Sequence, residues 1–287
     1  MLNNHEGSLR SIFGNYHAWM AAPGTWFISF MNGSQNMYLL EGSEKALLID
    51  TGYAMGNLKE FVLQLTDKPV EVINTHFHPD HAGGNGEWEW VYVHEDWEKD
   101  ALSVLHTAGD LAALPYPDYK KVPVKNGDVI ELGGRPVEIL SLKQCHCNSE
   151  LYLLDRTEKM LFMGDEIDSS QVLLFDNSNN PELEAQFVTA SVLKNYRDNL
   201  NAVKELDPKY DWLLPCHNGA PLDKSYLDDF ILLVDGVFSG DTEICEKLAH
   251  PFIEMDPKAG RLVRIRRGKA SAFVFKDQLM DVYGKGE

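Results

Sequence analysis

The chain has 287 residues, with 26 Lys and Arg against 44 Asp and Glu, a formal net charge of −18. That balance argues against nucleic acid and anionic membrane as partners, because both are gripped through Lys and Arg on phosphate. Hydrophobic residues at 44% and charged residues at 24% describe a globular chain rather than a disordered one, and no apolar stretch approaches the ~20 residues of a membrane helix.

The first residues, Met1 to Glu6, carry neither a basic region nor an apolar one, so no signal peptide is expected. Four cysteines in a chain this long do not make a disulfide framework, and a cytoplasmic location is the expectation. With no repeat and no low-complexity linker, one domain over 1–287 is expected.

In chain order, the first strands are read at Trp26–Phe30, Met37–Leu40 and Ala46–Asp50, divided by the turn pairs Asn32-Gly33 and Gly42-Ser43. Asp50, followed by Thr51 and Gly52, is either a turn device bonding nearby backbone N–H groups or a residue that holds a ligand histidine in place. Apolar residues at 58, 61, 62 and 65 mark a helix stopped by Pro69. A strand over 70–74 then runs into Thr75-His76-Phe77-His78-Pro79-Asp80-His81-Ala82-Gly83-Gly84. Packing does not explain four such side chains at one strand end; imidazole and carboxylate are the donors for Zn²⁺, Mn²⁺ or Fe.

The aromatics Trp88, Trp90 and Tyr92 read as core. A helix is expected over 95–106, and His94 and His106 are taken as incidental. The stretch 107–126 holds Gly109, Pro115, Pro117 and Pro123 and is long for a routine connection, which suggests a lid or active-site loop. Two strands joined by Gly133-Gly134 follow. Cys145-His146-Cys147-Asn148-Ser149 is a second strand-end device. Strands at 151–154 and 160–163 come next, the latter ending in Gly164-Asp165-Glu166. One long helix or two over 182–206, a strand at 211–214 ending in Pro215-Cys216-His217-Asn218-Gly219, a helix over 222–238 and a hairpin at 261–276 complete the reading.

The strand-end residues are therefore His76, His78, Asp80, His81, His146, Asp165 and His217, which take five of the ten histidines. Their order, His-x-His-x-Asp-His, a lone His, Gly-Asp and a final His near Gly, resembles the metallo-β-lactamase superfamily over roughly 26–240, in its glyoxalase II and lactonase-like branch. The phrase Leu48-Ile49-Asp50-Thr51-Gly52 resembles that family's first motif. The resemblance implies an α/β fold, the αββα four-layer sandwich. It also implies a two-metal site: His76, His78 and His146 on the first ion, Asp80, His81 and His217 on the second, and Asp165 bridging.

Zn²⁺ is the expected metal, with Fe or Mn as substitutes. The implied reaction is hydrolysis of a small ester, thioester or lactone by a hydroxide shared between the ions, with Asp80 as the catalytic proton carrier. A small-molecule substrate is expected, and a homo-oligomer is left open. The acidic balance argues against a nuclease. Two other readings stand: a mononuclear iron enzyme of the persulfide dioxygenase kind, and a non-catalytic metal-binding sensor or interaction module. The complete second ligand set weighs against the first; the number of ligands, beyond the four of a closed structural site, weighs against the second. Cys145, Cys147 and Cys216 depart from the family's Gly and Thr. They are read as small apolar fillers turned away from the ligands, with a metal-binding or redox thiol as the rival. Trp26, Tyr53, Trp88 and Tyr116 are the aromatics considered for a pocket wall.

Overall fold

Near-continuous buried runs along two sets of strands, with successive side chains serving opposite faces, decide the architecture. The computed structural model describes residues 9–10, 15–30, 35–53, 57–97, 118–143, 145–174, 191–239, 245–248, 262–265 and 273–276. The first sheet holds β1 (Leu9–Arg10), β2 (Tyr16–Ala22), β3 (Thr25–Phe30), β4 (Gln35–Glu41), β5 (Ala46–Ile49), β6 (Val70–Ile73), β7 (Trp90–His94) and β8 (Lys120–Val124), paired in that order. Pairing is antiparallel as far as β5 and parallel from β5 to β8.

The second sheet draws on β9 (Val129–Glu131), β10 (Pro136–Leu140), β11 (Tyr152–Asp155), β12 (Met160–Phe162), β14 (Trp212–Leu214) and β15 (Leu222–Asp223), in the spatial order β15-β14-β12-β11-β10-β9. A third sheet joins β13 (Val172–Leu173) to β18 (Phe273–Lys276), which pairs with β17 (Leu262–Ile265) and that with β16 (Cys245–Leu248). β17 and β18 pair antiparallel; the connection between them, residues 266–272, lies outside the described residues.

Three apolar clusters lie between the layers. Phe27, Tyr38, Leu40, Leu47, Ile49 and Ile73 of the first sheet meet Ile139, Leu153, Phe162 and Leu214 of the second. Their immediate neighbours Ile28, Met37, Leu39, Leu48 and Val72 point the other way, onto Leu58, Phe61 and Val62 of α1 (Leu58–Val62). Tyr152, Leu154, Leu161 and Leu213 likewise face α3 (Ser191–Glu205) and α4 (Ser225–Phe238). Residues adjacent in a strand thus serve opposite faces, as the pleat requires, and both sheets are buried on both sides. This is the αββα sandwich.

Several boundaries differ from expectation. β2 was not anticipated: Tyr16-His17-Ala18-Trp19-Met20-Ala21-Ala22 is short of β-branched residues, and its pairing with β3 supplies what local propensity does not. Lys120–Val124, placed within the 107–126 loop, forms β8 at the sheet edge, where Pro123 is tolerated. Residues 107–117, the helix segment 98–106 and the helix segment 182–190 lie outside the described residues. Leu222–Asp223, read as the start of a helix, pairs with β14 instead, and α4 begins at Ser225. No helix among the described residues is long and apolar enough to cross a membrane.

The topology brings the strand ends together. β10 and β12 are both antiparallel to β11, and β12 is parallel to β14, so all three end at one edge of the second sheet. β5 and β6 run parallel and end together in the first. Leu151 N–H donates to the Thr75 carbonyl at 2.7 Å and Asn36 N–H to the Cys216 carbonyl at 2.7 Å, which joins the two edges. The opposite edge is closed by Arg135 and Asp155, at 4% and 0% exposure. Arg135 donates to the Asp155 carboxylate, to Thr25 Oγ1 and to the Gly24 and Glu41 carbonyls, so one guanidinium ties both sheets.

Candidate metal centre

After β6 the chain stays extended long enough for His76 and His78 to share one side, while Phe77 between them turns into the outer core at 2% exposure. His78 has φ −58° and ψ 149°, and Pro79 starts the short helix α2 (Pro79–Ala82), which carries Asp80 and His81. Proline is suited to that first helical position. The His81 carbonyl accepts from Thr51 N–H, Thr51 Oγ1 and Asn74 Nδ2 at 2.8–3.0 Å, which docks the loop against the end of β5. A Cβ on Gly84 would lie 2.6 Å from the Thr51 carbonyl oxygen, so the close approach needs glycine there.

Two donor sets result. In the first, His78 Nδ1 lies 2.9 Å from His76 Nε2 and 3.0 Å from His146 Nε2. Asp165 Oδ2 is 3.6 Å from His146 Nε2 and 3.9 Å from His76 Nε2. In the second, His81 Nε2 and His217 Nε2 are 3.3 Å apart. Asp80 Oδ2 lies 3.5 and 3.3 Å from those two nitrogens, and Asp165 Oδ1 lies 3.4 and 3.3 Å from them. A tetrahedron with metal–ligand bonds of 2.0–2.1 Å has edges of about 3.3 Å. Five edges of the second set match that figure, and Asp165 turns one oxygen to each set.

The chemistry of the donors fits a cation. Asp165 Oδ1 is buried and makes no hydrogen bond of good geometry, although the His81 and His217 ring nitrogens stand 3.4 and 3.3 Å away, so it depends on positive charge beside it. Burial, with the neighbouring imidazoles, holds His76 well below the usual histidine range and His78 at about 3, so both keep their lone pairs. Burial alone would raise Asp165 and Asp80, but His217 and His81 hold both carboxyls well below the usual range. Burial would lower His81 and His217; Asp165 and Asp80 push both well above it. Two imidazoles that charge to neutralise two buried carboxylates mark where a divalent ion exchanges for protons.

The outer nitrogens are anchored. His146 Nδ1 faces the Leu173 carbonyl at 2.7 Å, His76 Nδ1 faces Thr75 Oγ1 at 3.1 Å, and His81 Nδ1 faces Asp50 Oδ2 at 3.0 Å. Such partners fix the tautomer that presents the other nitrogen. Asp50 therefore stands where a residue that holds a candidate ligand histidine would stand; the N–H it accepts is that of Thr75, after β6, and not one of its own turn. Its Oδ1 accepts Thr75 N–H at 2.7 Å, while Oδ2 accepts Thr75 Oγ1 at 2.8 Å, the His81 ring and the Cys216 thiol at 3.2 Å. It does so from a left-handed backbone, φ +64°, a conformation that Asp tolerates better than most residues.

All seven strand-end residues singled out in the sequence converge here. The three described cysteines are buried thiols with no disulfide between them. Cys145 packs in the helix-side core and Cys147 in the outer core, and burial pushes the Cys145 and Cys216 thiols well above their usual range. Cys216 does more than fill space, since its thiol donates to Asp50. Trp88 is core at 7% exposure, Trp26 packs against the same cluster and bonds Glu41, Tyr53 is exposed, and Tyr116 lies outside the described residues. His94 is structural, bonded to Ser141 Oγ and to Asp96 N–H.

Sequence reading missed Glu150, Glu166, Gln35 and Asn199. Gln35 Nε2 donates to Asp80 Oδ2 at 3.4 Å. Asn199 of α3 bonds the Lys143 carbonyl and Glu166. The one available signal was an acid directly beside a ligand or an apolar strand, Glu166 after Asp165 and Glu150 before Leu151.

This fold and two carboxylate–imidazole donor sets define a metal-binding α/β protein. The chain belongs to the metallo-beta-lactamase superfamily, whose family model matches residues 31–217. It is similar to the acyl-coenzyme A thioesterase MBLAC2 of Bos taurus, 27% identical over 163 residues, covering 46% of this chain and 58% of that protein. It is also similar to the hydroxyacylglutathione hydrolase of Hyphomonas neptunium, 29% identical over 126 residues, covering 44% of each. The chain thus spans about half the length of these curated relatives. Among solved structures, a metallo-beta-lactamase family protein of Thermus thermophilus superposes with TM-score 0.61 at 16% identity, covering 89% of this chain and 99% of that one.

Proposed function

We propose that this chain is a binuclear metal-dependent hydrolase of small esters, thioesters or lactones. The observation that carries the reading is the pair of donor sets joined by Asp165, whose two oxygens face different sets. His76, His78 and His146 would hold the first ion, Asp80, His81 and His217 the second, with Asp165 shared and Zn²⁺ favoured by the imidazole-rich donors. A divalent pair so held supplies a nucleophile at neutral pH and Lewis-acid polarisation of a carbonyl.

The chain's own groups supply the rest. Asp80, kept ionised by His81 and His217, turns Oδ2 toward them and toward Gln35. Its other oxygen takes the proton of the attacking water and delivers it to the leaving oxygen, sulfur or nitrogen. Tyr53 stays partly exposed, while desolvation and the nearby Asp80 charge raise its phenol above the usual range, which leaves a protonated hydroxyl as a donor to substrate.

Thioesters are the first class to test, because two of the similar curated proteins are named as hydrolases, one of an acyl-coenzyme A and one of an acylglutathione. A screen of thioesters, lactones and aryl esters against zinc-, manganese- and iron-loaded protein tests the reading. Hydrolysis lost in His76→Ala, Asp80→Ala and His217→Ala is the expected result. No turnover of any ester class, or oxygen uptake on a persulfide with one iron per chain, contradicts it.

A further inference from the structure

Two buried glutamates cross-link the loops that carry His146 and Asp165. Glu150, at 6% exposure, follows His146 in the loop after β10; its Oε1 accepts the backbone N–H of Asp165 at 3.2 Å. Glu166, at 1% exposure, follows Asp165 in the loop after β12; its Oε1 accepts the backbone N–H of His146 at 3.3 Å. Each loop therefore presents a carboxylate to the main chain of the other's ligand, a reciprocal arrangement like the two-way bonds of a helix capping box.

Both side chains are themselves held. Glu166 Oε2 accepts from Tyr152 Oη and from Asn199 Nδ2. Glu150 Oε2 accepts the Cys147 thiol at 3.5 Å and lies 3.4 Å from His76 Nδ1. The fit around Glu150 is close: a Cβ on Gly164 would collide with its Oε1. Neither glutamate is among the seven donors, and carboxylates are not buried this deeply without a compensating role.

We infer that Glu150 and Glu166 are positioning residues that fix the spacing between His146 and Asp165, and so set the affinity of the first donor set for its ion. The inference rests on the binuclear reading above. The clamp works through backbone acceptance, which separates it from two simpler roles. A residue that only fills space is replaced by methionine without loss, and one that only supplies charge is not replaced by glutamine.

The test is stepwise cobalt(II) binding to full-length protein, by chelator competition and by the ligand-field spectrum. The first-set step is assigned as the one that His146→Ala removes. Glu150→Met is expected to weaken that step roughly 10–100-fold, the range for loss of a partner that orients a ligand, and to alter its spectrum, while the other step, whose three further donors the clamp does not touch, loses clearly less through the shared Asp165. Glu150→Gln, which keeps an oxygen for the Asp165 N–H but turns its amide nitrogen toward His76 Nδ1, is expected to fall between wild type and Glu150→Met. Glu166→Met gives the same selective loss from the other arm, so the test does not depend on one variant folding; melting of the metal-free proteins checks each fold. An unchanged first step in both methionine variants overturns the clamp, as does Glu150→Gln falling as far as Glu150→Met. Wild-type protein that takes up no ion overturns the binuclear reading and the clamp together, whereas two ions in wild type with unaltered variants overturns the clamp alone.

Discussion

Asp50→Asn is the substitution with the most sharply defined consequence. It keeps shape and removes charge, so the outcome turns on where the amide nitrogen goes. Placed where Oδ1 is, it would meet the Thr75 backbone N–H, 2.7 Å away and unable to turn. Placed where Oδ2 is, it meets the Thr75 hydroxyl, the Cys216 thiol and His81 Nδ1. Hydroxyl and thiol hydrogens rotate, but the His81 ring can answer a donor only by moving its proton from Nδ1 to Nε2. That nitrogen is the one facing Asp80, Asp165 and His217. On the binuclear reading, the second ion would then have to bind against the wrong tautomer. A hydrogen bond to a charged group is worth about 1.5–3 kcal/mol, and each 1.4 kcal/mol or so is tenfold in affinity. The expected loss is thus roughly 10–100-fold, in line with other lost carboxylate–histidine contacts, and it falls on the second ion while the first loses less than about threefold. Competition against a chromophoric chelator resolves the two steps. Equal losses on both, or none on either, would refute the tautomer argument.

Other outcomes follow from the same contacts. Arg135→Met leaves the Asp155 carboxylate buried without its partner and should cost about 3–5 kcal/mol in urea unfolding; converting Asp155 to Leu as well should recover most of it, and a single-variant loss below about 1 kcal/mol would contradict the buried pair. Gly164→Ala places a methyl against Glu150 Oε1 at a backbone angle of φ +54°, so it should weaken first-ion binding as Glu150→Met does and lower the melting temperature of the metal-free protein. Asp168, at 4% exposure, has its carboxyl raised to about 6, chiefly by burial. The folded state then holds that proton more tightly than the unfolded chain does, so its contribution is full below the unfolded value of 3.8 and is lost as pH rises through about 6. Asp168→Asn should remove a slope worth on the order of 3 kcal/mol across that window, read as the difference between variant and wild type in metal-free urea unfolding at about pH 4 and about pH 7.

The candidate ligands were legible because they stand where a strand period breaks. His76 and His78 follow Val72-Ile73, His217 follows Leu213-Leu214, and Asp165 follows Leu161-Phe162-Met163; in each case an apolar strand ends in a side chain that does not belong in a core. What holds the ligands was not legible. Asp50 had two readings until its distance to His81 was known, and Glu150 and Glu166 acquire meaning only from a crossing of two loops that no local pattern encodes. β2 and β8 were hidden for a different reason. Ala21-Ala22 and Pro123 are weak strand residues locally, and their strands exist through pairing with β3 and β7. Cys216 looked like a filler because its neighbour carries the chemistry, yet its thiol reaches the carboxylate behind His81.

The central claim is that one chain holds two ions through sets that share Asp165. The metal-to-protein ratio of reconstituted, exhaustively dialysed protein tests it most directly, measured for wild type and for His217→Ala. Two divalent ions per chain falling to one is the predicted result. A single ion in both proteins, or none in either, would contradict the account.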